Sequence, residues 1–186
     1  MEVKPTASLA EFFHEALSSA LKNQGVETSE MTEFYLVQLL SEFSTVTLDD
    51  EPLALRLAET VTASPEARAR TLREIGDRSL YLTGFFADSL ERRVVGVSYY
   101  IKLGESAYLQ LAQMPERGMP ADVYRELSGK FARLVDVLAE VSESGAVDND
   151  LAVVQLYERW RRKGSEWLAR RLRARGMIPG SGGYLQ

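Results

Sequence analysis

The sequence predicts an all-α fold, a single-domain antiparallel bundle of about six to seven helices. Apolar residues recur at spacings of three and four along nearly the whole chain, the period of a helix with one buried face. The segments are bounded by hydroxyl or acidic starts and glycine stops, the punctuation of helix ends. No alternating apolar stretch is long enough to argue for a sheet. Short connections between helices favour antiparallel neighbours, and no repeat of fixed period points to a solenoid.

The first helix is predicted over about 8–24, where Leu9, Phe12, Phe13, Ala16, Leu17, Ala20 and Leu21 form the stripe and Gly25 ends it. Thr28 and Ser29 cap a second, with Glu30 and Glu33 near the positive end of its dipole and Leu36, Leu39, Leu40 and Phe43 inward. Asp49, Asp50, Glu51 and Pro52 suit the first turn of a short third helix carrying Leu53, Leu57 and Val61. Ser64 followed by Pro65 starts a fourth that could run to about Val95, although Gly76 and Gly84 each weaken it by about 1 kcal/mol relative to alanine. Ser79, Thr83 and Ala87 make a ladder of small residues that lets a neighbour cross closely, so this helix is expected in the middle of the fold.

Gly96 breaks the chain and Ser98 is expected to cap the next helix, with Tyr100, Gly104, Ala107, Tyr108 and Leu111 on one face. Met114 to Pro120 reads as a loop. The clearest pattern follows over about 121–143, where Tyr124, Leu127, Phe131, Leu134, Leu138 and Val141 alternate steps of three and four, too short a seam for a true coiled coil. A last helix is predicted from about Asp148 to Arg175. The domain is expected to span 1–176, and the glycine-rich 177–186 to be a flexible tail.

The 186 residues are 45% hydrophobic and 26% charged, proportions of an ordinary globular chain with room for one sizeable core. No apolar run approaches the roughly 18 to 20 residues of a membrane-spanning helix, and the N-terminus lacks the apolar core of a secretory signal. With no cysteine there are no disulfides, thiol chemistry or thiolate-held metals. A cytoplasmic location is expected, and the excess of arginine over lysine hints at a bacterial source. The net charge of −5 is unevenly spread. Residues 1–67 hold 12 acids and three bases, whereas 158–175 hold eight bases and two acids. Such ends can pack on each other, or can mark an anionic-polymer or membrane surface.

Few patterns carry chemistry. Glu11 and His14 have the Glu-x-x-His spacing of di-iron bundles, but those need two such motifs and this is the single histidine. No transition-metal site is therefore expected, and no cofactor. Ser19 and Lys22 have the spacing of a serine acyltransferase pair, without the Lys-Thr-Gly and Ser-Asp-Asn elements that chemistry requires. No phosphate-binding loop, nucleophile elbow or zinc-protease motif is present.

Two stripes remain. Asp77, Tyr81, Gly84 and Asp88 fall on one face of the long central helix, with Gly84 a notch between a phenol and a carboxylate, and form a candidate ligand site. The two aspartates would lie about 16 Å apart along the helix, too far for the paired carboxylates of a glycosidase. On the last helix Arg159, Arg162, Lys163, Arg170 and Arg173 gather on one side and Trp160 and Trp167 on another, a candidate interaction surface. The leading expectation is a noncatalytic module for protein–protein contact or scaffolding, as a homodimer or with another protein. The alternatives are a small-molecule-binding bundle or enzyme using the Asp77, Tyr81 and Asp88 face, and a binder of anionic polymers or membrane surfaces through 159–175. Neither sequence-specific nucleic-acid binding nor membrane insertion is expected.

Overall fold

The computed structural model describes residues 9–44, 51–93, 95–115 and 118–145, together with 161, 169 and 173. The fold is all-α. Among the described residues the helices are α1 (Leu9–Gln24), α2 (Glu30–Phe43), α3 (Leu53–Glu59), α4 (Pro65–Phe85), α5 (Ala87–Leu90), α6 (Val97–Gln113), α7 (Ala121–Gly129) and α8 (Phe131–Gly145). The chain divides into two compact units, Met1–Val141 and Ser142–Gln186. In the second, Arg161, Ala169 and Arg173 are helical, with the alanine buried and both arginines exposed.

Helix α1 buries Phe13, Leu17, Ala20 and Leu21, one face at helical spacing. Gly25 ends it with φ +62°, a left-handed conformation that a side chain disfavours. The Gly25 N–H donates to Lys22 O at 3.2 Å and the Val26 N–H to Leu21 O at 2.9 Å. These two bonds make a Schellman stop, and Val26 and Leu21 are both buried beside it. Ser29 caps α2 by accepting from the Thr32 N–H at 3.2 Å.

The turn between α1 and α2 is tied to the other end of the unit by side chains from α7 and α8. Glu126 accepts from the Ser29 N–H at 3.1 Å, the Ser29 hydroxyl at 2.9 Å and the Thr32 hydroxyl at 2.5 Å. Asn23 and Gln24 donate to the two oxygens of buried Glu140 at 2.6 and 2.8 Å. Helix α3 joins α4 through Arg56, whose guanidinium pairs with both Glu51 and Glu74.

Helix α4 is central, as its small residues predict. It packs most extensively on α6, and also meets α2, α3 and α5. A Cβ at Gly76 would lie 2.5 Å from the Tyr108 ring of α6, and one at Gly84 would lie 2.5 Å from Leu138 Cβ of α8. Phe131 of α8 fills the place beside Gly104 where α6 crosses α4 at Ser79. Thr83, fully buried, satisfies its hydroxyl by donating to Ser79 O at 2.7 Å, so a polar residue sits in the crossing at little cost.

The structure differs from the sequence reading at four boundaries. The short third helix ends at Glu59, so Val61, expected on its inward face, lies beyond it and is exposed. The fourth helix ends at Phe85, not near Val95: Phe86 leaves helical geometry at φ −126°, ψ 27°, and the chain turns into α5, which buries Leu90 while Phe86 stays exposed. The predicted helix over 121–143 is two helices, parted at Lys130 (φ −110°, ψ 10°), directly after Gly129, a poor helix former. The buried seam nevertheless continues across the break, from Tyr124 and Leu127 to Phe131, Leu134, Leu138 and Val141. The cap of α6 is Gly96, and Ser98 lies inside its first turn.

The close approach at Gly84 is testable. Leu138 Cβ is fixed to its backbone and cannot swing aside, so Gly84→Ala forces α4 and α8 apart. The expected cost is about 1–3 kcal/mol in urea unfolding. Gly129→Ala, which meets nothing within 4 Å, should show no comparable loss.

Candidate functional site

The polar centre of the unit is Asp77, on the middle of α4 and only 5% exposed. Its Oδ1 accepts from the Tyr35 hydroxyl of α2 at 2.5 Å and from the Tyr108 hydroxyl of α6 at 2.7 Å. Its Oδ2 faces Arg73 Nε, one turn back on α4, at 3.5 Å. The Arg73 guanidinium also lies over the Tyr35 ring, 5.3 Å from the centroid, a cation–π placement. Tyr124 of α7 completes the cluster, stacked on Tyr108 at 6.1 Å and edge-on to Tyr35 at 5.9 Å. Four helices thus contribute to one buried network.

Burial pushes the Asp77 carboxyl from 3.8 up to about 6, although the hydrogen bonds from Tyr35 and Tyr108 and the charge of Arg73 pull it down. Burial, and then the charge of Asp77, hold the phenols of Tyr35 and Tyr108 well above their ordinary range, so both remain donors. Glu126 is shifted the other way. Its partial burial alone would raise it, but the bonds from Thr32, Lys130 and Ser29 prevail and hold it at about 2.

Beside this network is a pocket of about 310 Å³ between α4, α6 and α7. Helix α4 contributes Glu66, Ala69, Arg70 and Arg73 to its wall. Leu111, Met114, Pro115 and Met119 supply an apolar side, and Ala121 and Tyr124 close it from α7. Arg73 and Tyr124 belong to both pocket and buried network, so the pocket wall is continuous with the surroundings of the buried Asp77 carboxyl.

The predicted ligand stripe is placed differently. Asp77 is turned inward to the tyrosines. Tyr81 stacks between Phe43 and Phe85 at 5.2 and 4.6 Å, with Phe86 edge-on at 5.8 Å. The Gly84 notch is filled by Leu138, and Asp88 lies on α5 beyond the break at Phe86. The structure therefore does not gather the four residues into one cavity. The stripe that reaches the pocket runs from Asp77 toward the other end of α4, through Arg73, Arg70 and Glu66 at steps of four, three and four. Its spacing was legible in the sequence, whereas Tyr35, Tyr108 and Tyr124 come from three separate helices with no local signal. Of the predicted interaction surface, Arg159, Trp160, Arg162, Lys163, Trp167 and Arg170 lie outside the described residues, and Arg173 is an exposed helical residue. No group of three or more metal-ligating side chains occurs among the described residues.

Comparison with known protein families, curated proteins and solved structures finds no match for this chain.

The two shifted carboxyls predict stability slopes of opposite sign. Asp77 has a folded value above its unfolded one, so its stabilising contribution is full below about pH 4 and lost as pH rises through about 6. Glu126 has a folded value below its unfolded one, so its contribution is full above about pH 4.5 and lost as pH falls toward 2. Urea midpoints measured across this range should peak between the two transitions. Asp77→Asn should flatten the decline on the neutral side, worth up to about 3 kcal/mol, and Glu126→Gln should flatten the rise on the acid side. A wild-type protein equally stable at pH 4.5 and pH 7, with Asp77→Asn unchanged in slope, contradicts the assignment.

Proposed function

We propose that this chain is a noncatalytic small-molecule-binding helical module whose ligand occupies the pocket between α4, α6 and α7. The observation that carries this reading is the double role of Arg73, which lines the pocket while its stem end faces buried Asp77. A concave, mostly apolar space of this size with a few converging polar groups is the usual form of a ligand site, and a strongly shifted carboxyl next to it adds weight. Binding is favoured over acid–base catalysis because Asp77 does not line the pocket and its oxygens are engaged by Tyr35, Tyr108 and Arg73. A cytoplasmic location is part of the proposal. No helix among the described residues is long and apolar enough to cross a membrane.

A second reading, contact with another protein or a second copy, is favoured by the outer face of α2. There Met31 and Phe34, one turn apart, are 46% and 53% exposed.

The first reading is tested by filling the pocket. Ala69→Trp places an indole in the space from a half-buried wall position on α4. A ligand-observed NMR screen of small organic compounds should give hits with the wild type that are lost with Ala69→Trp. Hits retained by Ala69→Trp place binding elsewhere and overturn the reading.

A further inference from the structure

We infer that the pocket ligand is an amphipathic organic carboxylate, held by its acid group at Arg70 and Arg73 and by its apolar body against Leu111, Met114 and Met119. This inference rests on the pocket reading above and specifies the chemistry of its occupant. Arg70 and Arg73 are one turn apart on α4 and both line the same space. Arg70 is exposed and makes no ion pair among the described residues. Arg73 meets Asp77 through Nε at 3.5 Å, keeps a side chain that is 44% exposed, and lines the pocket. A guanidinium edge offers two parallel N–H donors, a geometry that matches the two oxygens of a carboxylate.

The opposite wall is apolar. Two methionines give it a surface that conforms to varied shapes, so the pocket selects for an acid with a hydrocarbon or aryl body rather than for one rigid outline. At about 310 Å³ the pocket lies at the small end of cavities that take organic ligands. A medium-chain fatty acid or an aryl-alkanoic acid has that size. A bare inorganic anion leaves the apolar wall uncovered, and a neutral compound of the same shape offers the two guanidinium groups no paired acceptor oxygens.

Isothermal titration of the full chain at pH 7 with octanoate, 3-phenylpropionate, 1-octanol and inorganic phosphate tests this. Saturable binding of the two acids is expected, at least about tenfold tighter than 1-octanol or phosphate. Arg70→Gln, at an exposed position without an ion pair, should fold normally and weaken acid binding about tenfold. Arg73→Lys, which keeps the charge near Asp77 but removes the fork, should also weaken it. If 1-octanol binds as tightly as octanoate, and Arg70→Gln leaves both unchanged while Ala69→Trp abolishes both, the pocket stands and the acid class is overturned. Phosphate binding as tightly as the acids likewise overturns the amphipathic assignment. If octanoate binds equally to wild type and Ala69→Trp, the pocket reading itself fails.

Discussion

The folded unit depends on burying one carboxylate in the middle of its central helix. A charge moved out of water is tolerated only where donors and a counter-charge replace the lost hydration. Asp77 obtains two phenolic donors from α2 and α6 and a guanidinium from its own helix. The requirement fixes more than one residue: Tyr35 and Tyr108 must arrive at the same oxygen, so α2 and α6 are held in register on α4. Tyr124 then packs on both phenols and places α7. A purely apolar core of the same volume would allow these helices to slide with less penalty, because dispersion contacts are not directional.

The glycines of α4 and α6 make that arrangement sterically possible. Tyr108 reaches Asp77 across the surface of Gly76, where a Cβ would stand 2.5 Å from its ring. The missing side chain of residue 76 is therefore a condition for the hydrogen bond accepted by residue 77. Gly84 of α4 and Gly104 of α6 likewise admit Leu138 and Phe131 of α8, so each glycine lets a large side chain lie against helix backbone. The helix-propensity cost of about 1 kcal/mol per glycine is offset by these contacts.

Helix existence, the central place of α4 and most of the inward faces were legible in the sequence, because they follow from local periodicity and from small residues at fixed spacing. The Schellman stop at Gly25 and the cap at Ser29 were equally legible, since each is decided by a few adjacent residues. The breaks at Phe86 and Lys130 were not. The apolar seam passes unbroken through Lys130, so periodicity alone cannot reveal that the helix does not. The site was legible in part. Asp77 stood out as an acid on a helix destined for the interior, yet the sequence could not say which direction along α4 leads to open space. Toward Tyr81 and Gly84 the space is filled by Phe43 and Leu138, which are distant in the chain. Toward Arg73 and Arg70 a pocket lies open beside Leu111, Met114 and Met119, and that asymmetry is a property of packing rather than of pattern.

The same asymmetry explains why the pocket lies where it does. A binding site gains from groups already ordered before the ligand arrives, since ordering them on binding subtracts from affinity. Arg73 has a long side chain with much rotamer freedom to lose, and on an isolated helix it would be a poor anchor. Here its guanidinium is restrained from behind by the Asp77 carboxylate and from below by the Tyr35 ring. The buried network therefore does two jobs through one residue: it neutralises a carboxylate that folding has stripped of water, and it presents a preset cation to the pocket. The wall opposite carries two methionines, side chains whose shape can adjust at small cost. In the binding role proposed above, a restrained charge facing an adaptable apolar surface would orient a ligand without demanding a single shape, and the position of Asp77 one turn beyond Arg73 is what restrains the charge.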